Sequence, residues 1–176
     1  MTLTKLNYTG QGTIPPTKLP TNSVLQVIST TKTDTQTITG SSFVDITGLS
    51  ATITPSSTSS KILISINVSF SGDAAYIAFQ ILRGSTEILK STETGAGLEC
   101  AGGQTIVNAA NQQYSIYKES MSGLESPNTT SATTYKVQIS PMRGASTTAN
   151  VNRSNILGDD NQYNSVSTIT LMEIAG

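Results

Sequence analysis

The chain contains no histidine and a single cysteine, Cys100, which closes two large classes of chemistry. A Ser-His-Asp or Cys-His nucleophile needs an imidazole base, and a zinc site needs more Cys or His than one thiol supplies. Glycoside hydrolysis stays formally open because it asks only for two carboxylates facing a cleft. Glu87, Glu93, Glu99, Glu119 and Glu125 are the candidates, and no motif joins any two of them. Asp159-Asp160-Asn161 offers oxygen ligands to calcium but lacks the spacing and closing glutamate of a dedicated loop, so it reads as a solvated turn. Tyr76, Tyr114, Tyr117, Tyr135 and Tyr163 have flat faces suited to stacking on sugars; tyrosines in strands more commonly edge a core with the hydroxyl at the surface. Glycosylation triplets begin at Asn7, Asn67, Asn128 and Asn152, in a chain where about three residues in ten are Ser or Thr, and chance explains them. The residues therefore predict no catalytic group, no metal and no cofactor.

Composition narrows the partners as well. Only 12% of residues are charged and the net charge is −1, so there is no basic field for a nucleic-acid backbone or an anionic membrane surface. A chain of 176 residues suits one domain, which buries about 70% of the surface it would expose unfolded. One thiol permits no intrachain disulfide, and Cys100 is expected as a small buried hydrophobe. Nothing from Met1 onward resembles a signal peptide or a membrane span, so the expected setting is a cytoplasm with the mature chain starting near Met1.

The elements that position these residues are strands. Ile62, Ile64, Ile66, Val68 and Phe70 occupy every second position, with Lys61, Ser65, Asn67 and Ser69 between them, the period of a strand with one buried face. Leu49–Thr54 reads as a shorter strand, and the Pro55 and serine loop between the two suggests a hairpin. A second hairpin is expected where Arg83-Gly84-Ser85 joins Ile77–Leu82 to Thr86–Lys90. Gly40 and Gly48 are expected to mark turns, residues 105–110 read as a short strand or one turn of helix, and further strands are expected from Val24, from Tyr114 to Met121, from Thr133 and at the C-terminal end. Eight to ten strands without βαβ alternation predict an all-β fold, a single antiparallel β-sandwich or jelly roll over residues 23–176. Residues 1–22 contain Pro15, Pro16 and Pro20, which fix φ and remove donors. They read as an extended arm in which Leu3, Leu6, Ile14 and Leu19 anchor on a partner, the alternative being an ordinary loose terminus.

Several segments carry a resemblance. G-T-I-P-P-T-K-L-P, V-L-Q-V-I-S-T-T-K-T-D, S-F-V-D-I-T-G-L-S-A-T-I-T-P-S-S-T-S-S-K-I-L-I, F-Q-I-L-R-G-S-T-E-I, E-S-P-N-T-T-S-A-T-T-Y-K-V-Q-I-S, N-V-N-R-S and S-T-I-T-L-M-E-I-A-G occur in this order between Gly12 and Gly176. The chain so composed resembles small fibre-like virion proteins of tailed bacteriophages, common in marine phages. The resemblance implies a jelly roll similar to tumour-necrosis-factor-like heads, assembled as a homotrimer on the particle surface. It covers fibre heads, knobs and capsid decoration or cement proteins without separating them. Unlike long fibres, this chain has neither a coiled-coil shaft nor a Gly-X-Y repeat.

Two function classes follow. In the first, the protein is a trimeric virion component made in the host bacterial cytoplasm, whose arm docks on the major capsid protein or on a tail or neck protein. In the second, it is a tail-fibre head or knob whose distal loops bind a host receptor or surface glycan. Neither class is an enzyme, and neither involves nucleic acid or membrane.

Overall fold

The buried stripe around Ile62–Phe70 lies at the centre of a two-sheet sandwich. The computed structural model describes residues 19–73, 76–93, 97–106, 114–142, 144–156, 158 and 162–176. Among them run β1 (Val24–Lys32), β2 (Gln36–Thr39), β3 (Val44–Ile53), β4 (Lys61–Gly72), β5 (Tyr76–Arg83), β6 (Thr86–Ile88), β7 (Gly102–Thr105), β8 (Tyr117–Glu125), β9 (Thr133–Pro141), β10 (Thr148–Val151) and β11 (Ser167–Ile174), with no α-helix. The first sheet has the order β1-β11-β4-β10-β2 with β8 also on β4, and the second has β3-β9-β5-β6 with β7 also on β5.

Three pairs of these strands lie end to end. β1 and β2 run along β11 and β10; β11 and β10 share one edge of β4, whose other edge holds β8. In the same way β6 and β7 divide one edge of β5. Counting each pair as one interrupted strand leaves eight, in the orders first-eighth-third-sixth and second-seventh-fourth-fifth. Successive strands then alternate between sheets except at one hairpin, which is the winding of a jelly roll. The all-β, antiparallel sandwich expected from the strand pattern is thus the observed fold.

The inner faces share one core. Ile62, Ile64, Ile66, Val68 and Phe70 of β4 meet Ile77, Phe79 and Ile81 of β5 and Tyr135, Val137 and Ile139 of β9 in a single buried cluster. The Phe70 and Phe79 rings cross edge to face with centroids 5.1 Å apart, a geometry that sets the positive edge of one ring on the negative face of the other.

Some elements differ from the sequence expectation. Leu49–Thr54 and the β4 stripe do not form a hairpin: β3 pairs with β9 in the second sheet, and β4 with β8, β10 and β11 in the first. The reason is in the loop. The Glu173 carboxylate of β11 accepts bonds from the Ser56 amide (2.7 Å), the Ser56 hydroxyl (2.6 Å) and the Ser60 hydroxyl (2.7 Å), which ties the serine loop to β11 and lets the chain cross the core. Gly48 does not end a strand; with φ 79° it sits inside β3, where the register to β9 slips between Asp45 and Ser50, as a bulge requires. The Thr-rich passage after β1 holds β2. The hairpin at Arg83 is present, with Gly84 at φ 60° and Arg83 opposite Thr86. β8 starts at Tyr117 instead of Tyr114, and of 105–110 only Thr105, the end of β7, is in a strand, 107–110 lying outside the described residues.

Candidate functional site

Where β1 yields to β2 and β10 to β11, the ladders break at one height and their backbone groups need other partners. The N-V-N-R-S segment provides them. Asn152, at φ 63°, donates from its amide to the Lys32 and Asp34 carbonyls, both at 2.9 Å, and accepts from the Ser167 hydroxyl at 2.6 Å. Ser167 in turn accepts from the Ser69 amide at 3.0 Å. Arg153, only 7% exposed, donates to the Asn150 side-chain oxygen (2.5 Å), the Thr37 hydroxyl (2.8 Å) and the Ser154 carbonyl (3.0 Å). Burial holds its pKa below the usual guanidinium value, the direction expected when a cation loses water.

This polar knot carries the segment above it. Tyr163 exchanges backbone bonds with Ser154: its carbonyl accepts from the Ser154 amide at 3.0 Å, and its amide donates to the Ser154 hydroxyl at 3.3 Å. The Ser165 amide donates to the Asn152 carbonyl at 2.9 Å. Tyr163 is therefore fixed at its backbone while its side chain is turned outward, 61% exposed. Together with Asn164 it faces Tyr114, Ile116 and Lys118 across an open groove of about 550 Å³. Two aromatic faces, one ammonium and several amide and hydroxyl groups can hold a polar ligand with an apolar side, the chemistry of a carbohydrate. Among the described residues no carboxylate lines the groove.

The opposite end of the sandwich holds residues 19–23. Tyr117 pairs with Phe70 near one end of β4, and Lys61 pairs with Ile174 at the other, so the groove and the chain ends are separated by about 30 Å of strand. Leu19, half-buried, lines a depression of about 260 Å³ with Leu25, Ser60 and Ala175. The Asn22 amide reaches the Ala175 carbonyl (2.8 Å), and the Ala175 amide reaches the Ser23 carbonyl (2.9 Å). Residues 19–23 thus lie beside the C-terminus and the loop that Glu173 captures.

The predicted residues are distributed as follows. Leu3, Leu6, Ile14, Pro15 and Pro16 lie outside the described residues, as does Asp159-Asp160-Asn161, while Pro20 is exposed. Of the five tyrosines, Tyr114 and Tyr163 come together at the groove. Tyr135 is fully buried and donates its hydroxyl to Glu125, which also accepts from Arg83 at 2.9 Å; burial, then the Glu125 bond, push the phenol well above its ordinary range. Tyr117 tilts against Phe70 with centroids 6.0 Å apart, and Tyr76 lies on β5. Glu125 is thus engaged across the sheets, Glu99 pairs with Lys90 at 2.5 Å, and burial raises the Glu119 pKa. Among the described residues no three Asp, Glu or Cys side chains gather as a metal site. Cys100 is half-exposed, not buried. Asn152 is fully buried and cannot take a glycan in the folded chain. The sequence reading missed the Asn152–Arg153–Ser167 knot, although two polar residues flanking an arginine in a β-rich chain hinted at a bulge filled by side chains. No known family model matches the chain, and no curated protein matches it.

Proposed function

We propose that the chain is a structural subunit of a bacteriophage particle, a homotrimeric jelly-roll decoration or short-appendage protein attached through its N-terminal arm to the major capsid protein or to a tail or neck protein. The observation that carries this reading is the separation of ends. The arm departs beside Ala175 at one end of a rigid sandwich, and the Tyr163 groove opens about 30 Å away at the other, which is how a subunit is built that is held at one end and displayed at the other. The sequence resemblance to small phage virion proteins points the same way. Such a protein turns over no substrate and resides on the virion surface after synthesis in the host. The test is incorporation. Replacing Leu3, Leu6 and Ile14 together by Asp removes about 1 to 2 kcal/mol of burial per anchor, multiplied by three arms on one body, so particles are expected to lack the variant although it folds. Normal occupancy of purified particles by this variant would remove the arm from the attachment.

The groove favours a second reading, a fibre head or knob that binds a host receptor or surface glycan. Under it, the isolated protein blocks phage adsorption and Tyr163→Ala abolishes the block; on the first reading neither protein affects adsorption.

A further inference from the structure

The groove at Tyr163 is flanked by two cations that no carboxylate neutralises. Lys118 stands on one wall, exposed on the outward face of β8 opposite Ser69, and among the described residues no acid forms an ion pair with it. Arg153 belongs to the other wall. Its backbone is bridged to Asn164, which lines the groove, and its side chain donates only to neutral acceptors on Asn150, Thr37 and Ser154. A guanidinium this deeply buried ordinarily has a carboxylate for a partner. The described acids of this end are turned away or already engaged. Glu119 follows Lys118 in sequence but faces the inner side opposite Val68, where a Cβ on Gly102 would lie 2.5 Å from its carboxylate. Asp73 accepts from the Thr148 amide (2.7 Å) and hydroxyl (2.9 Å), and Asp34 accepts from Lys32 at 2.8 Å.

We infer that the groove takes an acidic sugar, a pyranose that carries a carboxylate as uronic acids do, an inference that rests on the receptor-binding reading above and names its ligand class. The tyrosines provide for the ring. The C–H face of a pyranose is apolar and lies flat on an aromatic side chain, and Tyr163 presents such a face from a backbone fixed at Ser154. Asn164 and Ser115, in the same groove, supply an amide and a hydroxyl for the ring hydroxyls. The volume of about 550 Å³ falls within the roughly 300 to 1,000 Å³ of small-molecule sites. A neutral sugar needs no more than this, and the two cations are what select for charge. The Lys118 ammonium offers a carboxylate a charge-assisted hydrogen bond at the wall. Arg153, held out of water, is screened less than a surface charge, so its field is felt further from the guanidinium. A bare phosphate or sulfate would answer the cations and leave the tyrosines uncovered; a carboxylate carried on a sugar ring answers both.

The experiment measures binding of the full chain to a panel of immobilised acidic and neutral glycans, and to oligogalacturonate beside its methyl ester, which keeps the sugar and removes the charge. Acidic members are expected to bind, and their neutral or esterified counterparts about tenfold more weakly, the size of one charge-assisted bond. Lys118→Gln, at an exposed position that leaves the fold intact, is expected to erase that difference, and about 1 M salt to narrow it. Tyr163→Ala is expected to abolish binding of both kinds. Lys61→Gln makes the same change of charge at the far end of β4 and is expected to change nothing. Asp159→Asn/Asp160→Asn, in the segment before Tyr163, is expected to leave binding equal or tighter. Neutral glycans bound as well as acidic ones, or a preference for acid that survives Lys118→Gln, overturns the ligand class and leaves the receptor-binding reading standing. Binding lost in Asp159→Asn/Asp160→Asn also overturns the class, because acids would then recognise the ligand. No binding to any glycan overturns the inference and the glycan reading together.

Discussion

The two sheets of this sandwich obey the same period and share the same core, yet their outward faces are composed differently. On the second sheet, Asp45 of β3 accepts from Lys136 at 2.8 Å and from Gln138 at 2.7 Å, both on β9, and of the outward positions on β5 Ala78 and Leu82 are buried while Tyr76 is exposed. On the first sheet the apolar residues of the outward face are left open and its positions on β11, β4 and β8 hold no acid. Charges paired within a face need no neighbour. Each Å² of apolar surface that the first sheet leaves exposed forgoes a hydrophobic contribution of about 25 cal/mol. Alternation alone identifies which residues point outward, while the residue types on the outward half decide how each sheet meets water.

The sharpest way to break the comparison is to move one residue along β4. Ile64 points into the core and is fully buried; Leu63, its neighbour, points outward and is half-buried. An unpaired charge at the inner position costs about 3 to 5 kcal/mol, a large share of the 5 to 15 kcal/mol typical of a domain. Ile64→Asp is therefore expected to be unfolded or insoluble, whereas Leu63→Asp folds with the circular dichroism of the parent. Circular dichroism and thermal unfolding of the two variants make the measurement, and a folded, native-like Ile64→Asp would show that the inner face has been misassigned.

A smaller effect comes from Glu173, a carboxylate on the inner side of the first sheet. Glu173 is 1% exposed. Burial pushes its pKa up, but bonds from Ser56, Gln26 and Ser60 outweigh this and hold it below its ordinary value. Because the folded pKa is depressed, the contribution is present above the unfolded value near 4.5 and is lost as pH falls through the folded one. Glu173→Ala strands these donors and is expected to cost about 3 kcal/mol at pH 7. The gap between variant and parent should shrink as acid unfolding curves are followed below pH 4.5; a gap independent of pH would assign the loss to packing instead.

These contrasts also show what the sequence made legible. The β4 stripe was readable because its apolar residues recur at a strict spacing of two, and the Arg83 turn because Gly84 supplies the positive φ it needs. The partner of β3 was not readable. Whether adjacent strands pair or cross the core depended on Glu173, more than 110 residues away along the chain, capturing Ser56 and Ser60, and no local pattern carries such a long-range bond. The groove was half legible: tyrosine chemistry marked Tyr114 and Tyr163 among five candidates, but their meeting depends on the knot at Asn152 and Arg153, whose polar residues read as loop until the broken ladders beneath them are seen.

The least effect is expected at Asp45, and it tests whether the second sheet is written for water. Bonds from Lys136, then Gln138, hold the Asp45 carboxyl below its ordinary range, but the group is half-exposed, so solvent screens most of the interaction. Exposed pairs contribute about 0.2 to 1 kcal/mol, and Asp45→Asn, which keeps the shape and removes the charge, should fall in that range. The depressed folded pKa places the parent's small advantage above the ordinary aspartate value near 3.8 and removes it as pH drops through the folded one. Raising salt to 1 M shortens the screening length to about 3 Å and should narrow the difference further. A loss well above 1 kcal/mol, or one that 1 M salt leaves unchanged, would show that Asp45 is not screened by solvent and that the second sheet depends on its charges as the first depends on Glu173.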